Sequence, residues 1–160
     1  EKTVLGLITE AKRRDLFPVG RLDKDTEGLL LITNDGKLAN ELLAPGKHVD
    51  KTYCARISGR VTEAEIEKFR EGLDIGDEKP TAPACLRILE AGEESEIEIT
   101  ITEGRYHQIK RMFEAVGMKV VYLKRLSMGN LRLDPSLKTG EYRRLTEEEI
   151  ACLRKRNDMA

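Results

Sequence analysis

Residues 20 to 28 read Gly-Arg-Leu-Asp-Lys-Asp-Thr-Glu-Gly and carry five charged side chains within seven positions. The segment lies between Val19 and the apolar run at residues 29–32, which predicts a strand buried on both faces. A chain that enters a core strand through so many charges needs either solvent or a functional site beside them. The segment is therefore either a solvated loop, in which Asp25 or Thr26 makes a local turn bond, or a site built around Asp23.

A second unusual segment, at residues 104 to 111, reads Gly-Arg-Tyr-His-Gln-Ile-Lys-Arg. It opens a predicted helix, because apolar side chains then recur at helical spacing as far as residue 116. The free N–H groups of a helix N-terminus favour an anion, and cationic and amide side chains around an aromatic suit phosphate and base-edge contacts. The alternative is an ordinary helix start with surface cations, and a lone His107 is more often structural than catalytic.

The charge is strongly segregated along the chain although the total is only −1. Residues 62–103 carry a net charge of −9, and residues 104–125 carry +5. Because the local field matters more than the total for binding a polyanion, this distribution is compatible with a basic, RNA-binding face. Two solvated surfaces that segregate by chance are the competing interpretation.

The remaining pattern predicts a mixed α+β domain, a largely antiparallel sheet flanked by helices, over residues 1–160. Capping boxes at residues 62–65 and 146–149 each predict a helix start. Further predictions are a helix at 3–12, a short helix at 38–43, a loop at 75–84, a tight turn at 129–130, and strands at 53–58, 96–102 and 119–126.

Composition excludes several classes of protein. Hydrophobic residues make up 39% and charged residues 36%, and the apolar runs are too short to cross a bilayer. With no basic-then-apolar signal pattern at the start, we expect a cytoplasmic protein with no membrane partner. Cys54, Cys85 and Cys152 form no CxxC pair and are expected to be buried free thiols in a reducing compartment. The two histidines supply no metal-ligand spacing, so catalysis would use a carboxylate, a basic group and an aromatic.

Taken together, these segments resemble the pseudouridine synthase superfamily. The resemblance is to the branch that comprises the bacterial small-subunit ribosomal RNA enzyme and its large-subunit relatives, and it covers nearly the whole chain. Five segments carry it in order: residues 20–30, Lys51-Thr52-Tyr53, residues 103–113, Leu123-Lys124-Arg125, and Gly140-Glu141-Tyr142-Arg143.

The resemblance implies a pseudouridine synthase catalytic domain with a central active-site cleft, and Asp23 as its essential carboxylate. Asp23 would attack the ribose or act on it as a base; the glycosidic bond breaks, and the uracil turns and is rejoined through carbon. Lys110 is implied as the counter-charge of Asp23. Tyr53 is implied to stack on the uracil and to take part in proton transfer.

The resemblance also implies how RNA is held. The target uridine must leave its stack, and Arg21 is the candidate to fill the vacated space or hold a neighbouring phosphate. Leu123 would wall the pocket and limit water, and RNA contacts are expected from Arg105, His107 and Gln108. No cofactor or metal is expected, because the reaction is a redox-neutral isomerisation.

The expected substrate is ribosomal RNA, more specifically small-subunit RNA, free or within an assembling subunit, and the expected state is a monomer. The N-terminal S4 domain usual in this branch, and the Lys-Pro-x-Gly strand that follows it, are not in the sequence. Two alternatives stay open. One is a non-catalytic RNA-binding module of the same fold; the other is a glycoside hydrolase that pairs Asp23 with Asp25 or Glu27.

Overall fold

A computed structural model describes residues 16–43 and 49–159 of the chain. The predicted helix at residues 3–12 lies outside the described residues. The elements follow in the order β1 (Phe17–Pro18), β2 (Glu27–Gly28), β3 (Ile32–Thr33), α1 (Gly36–Leu43), β4 (Lys51–Ser58), α2 (Glu63–Glu71), β5 (Cys85–Glu90), β6 (Glu94–Ile101), α3 (Gln108–Ala115), β7 (Lys119–Met128), β8 (Leu131–Arg132) and α4 (Glu147–Met159).

The main sheet has six strands, in the order β2-β7-β4-β6-β5, with β8 paired to β7. β4 and β6 alternate buried and more exposed residues, as expected of strands with one face on a core. The strand pairings in this sheet are antiparallel except that of β2, which runs parallel to β7. β1 and β3 form a separate antiparallel pair. The predicted α+β class with a largely antiparallel sheet is confirmed.

A first hydrophobic cluster joins one face of the sheet to α2 and α3. Helix α3 contributes Ile109, Met112 and Phe113, and the Phe113 ring lies 4.8 Å from that of Phe69 on α2. The helical spacing of these apolar residues explains why α3 turns this face inward. The sheet side of the cluster comprises Tyr53, Ala55, Ile57, Leu86, Ile97, Ile99, Ile101 and Leu123.

A second hydrophobic cluster lies around the shorter elements. It comprises Val19, Leu31, Ala39, Leu42, Val49, Met128, Leu131 and Leu153. β7 contributes to both clusters, through Leu123 to the first and Met128 to the second. Arg125 stands between these two positions on β7. Lys51 likewise stands between Val49 of the second cluster and Tyr53 of the first. Along each of these two strand segments, a cationic residue therefore stands between a position of one cluster and a position of the other.

Both predicted capping boxes are confirmed. The Thr62 side chain accepts a bond from the N–H of Ala64, and the Glu65 carboxylate accepts one from the N–H of Thr62 at 2.7 Å. At α4, the N–H of Thr146 donates to Glu149 at 2.8 Å, and the N–H of Glu149 donates to Thr146 at 3.1 Å. These side chains satisfy N–H groups that a helix start leaves without partners.

Three predictions differ from the structure. The apolar run at residues 29–32 is not one strand, because β2 ends at Gly28 and β3 begins at Ile32. β5 was not predicted, since only Leu86 of its six residues is buried and the alternation is weak. The cysteines are free, but none is fully buried: Cys54 is half-buried, and Cys85 and Cys152 are exposed. Within residues 16–43 and 49–159, no helix has the length and apolarity to span a membrane.

Candidate active site

Asp23 opens a turn that leads directly into β2. The N–H of Thr26 donates to the Asp23 carbonyl at 2.9 Å, which closes this turn. β2 then pairs with β7, with Glu27 opposite Lys124 and Gly28 opposite Arg125. The Asp23 side chain is 31% exposed, so it is held by the fold and still open to solvent. The local turn bond expected for a solvated loop is therefore present, and this turn places the Asp23 carboxylate beside the sheet.

Gly28 permits the close contact between β2 and β7. Its φ is +116°, a backbone conformation that residues other than glycine rarely adopt. A Cβ atom at this position would lie 2.2 Å from the Arg125 carbonyl oxygen and 2.5 Å from the Arg125 nitrogen. Only glycine fits here, and the position of the Asp23 turn depends on it.

The Arg125 side chain ties the same segment to β7. It is only 2% exposed, and its Nε donates to the Leu29 carbonyl at 2.8 Å. The N–H of Leu29 in turn donates to the Arg125 carbonyl at 2.9 Å. The buried Nη2 atom has no hydrogen-bond acceptor among the described residues. This anchoring role was not predicted, although an arginine within a buried strand is an unusual residue that signals a specific partner.

Helix α3 brings two nitrogen groups to Asp23. His107 Nε2 lies 3.8 Å from Asp23 Oδ1, and Lys110 Nζ lies 4.0 Å from Asp23 Oδ2. Lys110 also donates a hydrogen bond to Asp25. That bond is the chief reason that the pKa of Asp25 is lowered. Lys110 is thus placed between two carboxylates, and its nearer partner is Asp25 rather than the expected Asp23.

Tyr53 and Leu123 lie on the sheet face that α3 covers. Tyr53 of β4 pairs with Arg125, and Ala55 pairs with Leu123, so that their side chains share one face of adjacent strands. Both Tyr53 and Leu123 are buried in the first hydrophobic cluster. The structure therefore groups the predicted aromatic and wall residue with the anchoring Arg125.

Arg105 and Gln108 make their hydrogen bonds within the protein. Arg105 donates to Glu103 at 2.8 Å and to the carbonyls of Lys79 and Pro80 at 2.7 and 2.8 Å. Gln108 is buried, accepts a bond from the N–H of Arg105 at 3.1 Å, and donates to Glu103 at 3.1 Å. These contacts favour a structural role for both residues, which hold the start of α3, over the expected contact with RNA.

Arg21 and Lys51 are two further cations within the predicted motifs. Arg21 is exposed, and no hydrogen bond or ion pair to it is seen among the described residues, so its guanidinium is open to a ligand. Lys51 is half-buried, and burial, with the nearby charge of Arg125, lowers its pKa. Burial is the larger of the two causes, so the lowered pKa reflects mainly the removal of the Lys51 ammonium from water.

Comparison with known proteins shows the family to which the chain belongs. Residues 1–115 match the family described as RNA pseudouridylate synthase. The chain is 51% identical to the uncharacterised RNA pseudouridine synthase YtzG of Bacillus subtilis (strain 168), over 96% of the chain and 65% of that protein. It is 44% identical to ribosomal small subunit pseudouridine synthase A of Escherichia coli (strain K12), over 94% of the chain and 64% of that protein.

A solved structure described as a pseudouridylate synthase matches with a TM-score of 0.89 and 42% sequence identity. The match covers 94% of the chain and 65% of that structure. The chain therefore belongs to the RNA pseudouridylate synthase family and has its fold. It spans slightly less than two thirds of the length of the relatives that it matches.

Proposed function

We propose that the chain is the catalytic domain of an RNA pseudouridine synthase in which Asp23 acts on the ribose of a target uridine. One observation carries the proposal. A partly exposed carboxylate lies within 4.0 Å of both His107 Nε2 and Lys110 Nζ, in a chain of the RNA pseudouridylate synthase family. A carboxylate facing a polyanion would only repel it, so a purely RNA-binding surface has no use for this arrangement.

The proposed reaction needs few groups. The Asp23 carboxylate either attacks C1′ of the ribose and forms an ester bond to it, or removes a proton from C2′; in both cases the N1–C1′ bond breaks and its electrons stay with the uracil. The uracil then turns in place and C5 bonds to C1′, while the ester bond to Asp23 breaks or, on the second route, C2′ takes its proton back from Asp23. The proton on C5 leaves and N1 gains one, so the nucleotide keeps its composition. Lys110 supplies a counter-charge that fixes the carboxylate in position.

Tyr53 and Leu123 are proposed to complete the pocket. Their place on the face covered by α3 supports a role for Tyr53 in stacking on the detached uracil and in moving its proton. Leu123 would exclude water, which matters because a free base can otherwise be lost. The exposed Arg21, two residues before Asp23, is proposed to hold the RNA open after the uridine leaves its stack.

The proposed substrate is small-subunit ribosomal RNA, and the proposed setting is the cytoplasm. Support comes from the 43–46% identity to enzymes of Vibrio and Escherichia that are named for the ribosomal small subunit. Whether the RNA is free or lies in an assembling subunit is tested by offering both forms to the purified chain, with a monomeric chain expected in either case.

The deciding experiment compares Asp23→Asn with the wild-type chain on small-subunit ribosomal RNA. Asp23→Asn keeps the shape of the side chain but removes the nucleophile, so we expect no pseudouridine by mass spectrometry of nuclease fragments. RNA affinity should stay within about threefold, because no favourable phosphate contact is lost. The matched control is Asp50→Asn, an exposed aspartate outside this site. Modification at near wild-type rate by Asp23→Asn would show that the proposal is wrong.

A companion pair of variants tests Lys110. Lys110→Met removes the counter-charge between Asp23 and Asp25 and should slow modification about a hundredfold, the scale seen when a reacting group is misplaced. Lys110→Arg keeps the charge and should retain more activity. Equal activity of wild type and Lys110→Met would contradict the proposed role. If no variant and no wild-type preparation modifies RNA that it nevertheless binds, the chain is a non-catalytic module of the same fold.

A further inference from the structure

Tyr106 is an exposed aromatic residue next to the candidate active site. Tyr106 is 76% exposed, whereas Leu89 and Val121, the other exposed large hydrophobic residues among those described, are each 45% exposed. One face of its ring stacks on the His107 ring, with 3.8 Å between the ring centroids and 18° between the planes. The other face is left for solvent or for a ligand.

The turn that carries Tyr106 is held by hydrogen bonds on both sides. Arg111 Nε donates to the Tyr106 carbonyl at 2.8 Å, and the Arg111 guanidinium also binds Asp77 at 2.9 and 3.2 Å. On the other side, the N–H of Gln108 donates to the Arg105 carbonyl at 3.2 Å. These bonds hold an exposed aromatic in place before any ligand arrives, which reduces the entropy lost on binding.

The backbone at His107 is strained in a way that fixes the same arrangement. Its φ is 46° and its ψ is 39°, and among the described residues no other non-glycine has a positive φ. A left-handed conformation costs about 1–2 kcal/mol at such a residue. Here it directs the His107 ring so that Nε2 faces Asp23 at 3.8 Å while the ring face lies against Tyr106. The three side chains form a continuous series from the carboxylate outward.

A nucleobase is the ligand that this series fits best. A flat aromatic face that extends an existing stack matches the π-face of an unpaired base, and such stacking carries much of single-stranded RNA binding. Lys110, whose Nζ lies 4.0 Å from Asp23 Oδ2, adds a positive charge beside this series. An aliphatic protein surface would gain from apolar area but not from the parallel stacking geometry of Tyr106 on His107.

We propose that Tyr106 is a stacking platform for the unpaired nucleobase that flanks the target uridine. The inference rests on the proposed function, since it takes the uridine to lie at Asp23. It specifies the form of the substrate: the nucleotide beside the target is single-stranded, in a loop, a bulge or an opened helix. Tyr106 is a binding residue in this scheme and takes no part in bond making or breaking.

The test measures kcat and KM for pseudouridine formation with three variants of Tyr106. Tyr106→Ala should lower kcat/KM by about ten- to a hundredfold, the scale of one lost base–aromatic stack. Tyr106→Phe keeps the ring and should stay within about twofold of wild type. Tyr106→Leu keeps an apolar side chain without a π-face and should resemble Tyr106→Ala. Full activity of Tyr106→Leu would overturn stacking in favour of simple apolar contact.

Substrates with an abasic nucleotide on the 5′ or the 3′ side of the target supply the matched comparison. With wild type, one of these two substrates should show the same loss as Tyr106→Ala shows with intact RNA. Tyr106→Ala should lose nothing further on that substrate, because both changes remove the same contact. Independent, multiplying losses at both positions would overturn the proposal.

Binding gives a readout that does not depend on turnover. With 2-aminopurine at the flanking position, wild-type chain should quench its fluorescence on binding, and Tyr106→Ala should not. If the wild-type chain forms no pseudouridine but quenches the probe, the proposed function is wrong and stacking by Tyr106 is supported. If the wild-type chain forms pseudouridine, and neither the rate nor the probe signal changes in Tyr106→Ala, the stacking platform is wrong and the proposed function stands.

Discussion

Gly28 shows how one residue can decide where a proposed catalytic side chain lies. Its positive φ and its contact with the Arg125 backbone are both incompatible with a side chain. The carboxylate of Asp23 sits at the far end of the turn that this contact positions. The same chain offers Gly76, which also has a positive φ of 92°, but a methyl group added there would meet nothing within 4 Å.

We expect Gly28→Ala to lower the free energy of unfolding by more than about 3 kcal/mol, because a backbone clash adds to backbone strain. Gly76→Ala should cost about 1 kcal/mol, since only the strain applies. Urea denaturation of the two variants separates these contributions. Similar losses at both positions would mean that the contact between β2 and β7 relaxes easily.

At the scale of elements, β2 joins the sheet through only two residue pairs, and the Arg125 side chain supplements them. Arg125 is buried, yet within the part of the chain that the structure describes it makes no ion pair with a carboxylate. A buried charge without an opposite charge is costly, whereas its bond to Leu29 holds the segment that bears Asp23. The buried charge of Arg125 therefore lowers the stability of the fold, while its hydrogen bond positions the Asp23 segment.

Arg125→Met should leave the free energy of unfolding within about 1 kcal/mol of wild type, or raise it, because the buried charge is gone. Pseudouridine formation should nevertheless fall about a hundredfold, since the Asp23 turn loses its anchor. Hydrogen exchange at residues 23–29 should become faster, a change that a general loss of stability would not confine to this segment. A large drop in stability with unchanged local exchange would contradict this account.

The first turn of α4 carries an ion pair whose effect on stability depends on pH. Arg143 donates to both carboxylate oxygens of Glu149 at 2.8 Å, and this bond is the main reason that the pKa of Glu149 falls from 4.5 to about 2. A carboxyl group with a lowered pKa in the folded state stabilises the fold above its unfolded pKa. That contribution is lost as pH falls from 4.5 through 2.

The difference in unfolding free energy between wild type and Glu149→Gln should thus be constant above about pH 5 and should shrink toward pH 2. Urea denaturation across this range measures it. The control is Glu148→Gln, which removes a carboxylate of the same helical turn that makes no ion pair among the described residues. A difference that grows on acidification would have the wrong sign.

The elements with local signals were predictable from the sequence. Capping boxes at Thr62 and Thr146 depend on neighbours three residues away, and the alternation in β6 is local as well. The prediction of one strand at residues 29–32 was wrong because Leu29 and Leu31 pack into the second hydrophobic cluster from the segment between β2 and β3, so their apolar character reflects burial without strand pairing. The pairing of Lys110 with Asp25 joins positions 85 residues apart, so no local pattern reports it.

At the scale of the whole molecule, the segregated charge of the sequence is largely cancelled in space. Asp77 of the acidic segment 62–103 pairs with Arg111 of the basic segment 104–125, and Glu103 pairs with Arg105. Lys110 is paired with Asp25. Apart from the buried Arg125, the basic side chains at residues 104–125 that have no carboxylate within 4.0 Å among the described residues are Lys119 and Lys124. The expected basic face is correspondingly weak.

RNA affinity should for this reason depend only mildly on salt. The logarithm of the binding constant for single-stranded RNA should fall with the logarithm of salt concentration with a slope no steeper than about −2, as expected for two or three phosphate contacts. Fluorescence anisotropy between about 50 and 200 mM salt, a range of about fourfold, measures it. A slope near about −4 would mean that RNA displaces the internal ion pairs.

The contact between Gly28 and Arg125 has a consequence for protein engineering. The segment that bears Asp23 is held against β7 by the close contact of Gly28 and by one hydrogen bond from the Arg125 guanidinium to Leu29. Leu29 and Arg125 are 96 positions apart in sequence. A corresponding loop transplanted from another member of the family would thus need a matching β7, and exchanging residues 20–29 alone should yield a folded chain in which the carboxylate at position 23 is displaced. The unit of exchange is this loop together with β7, and a chimera that respects it is the one to build.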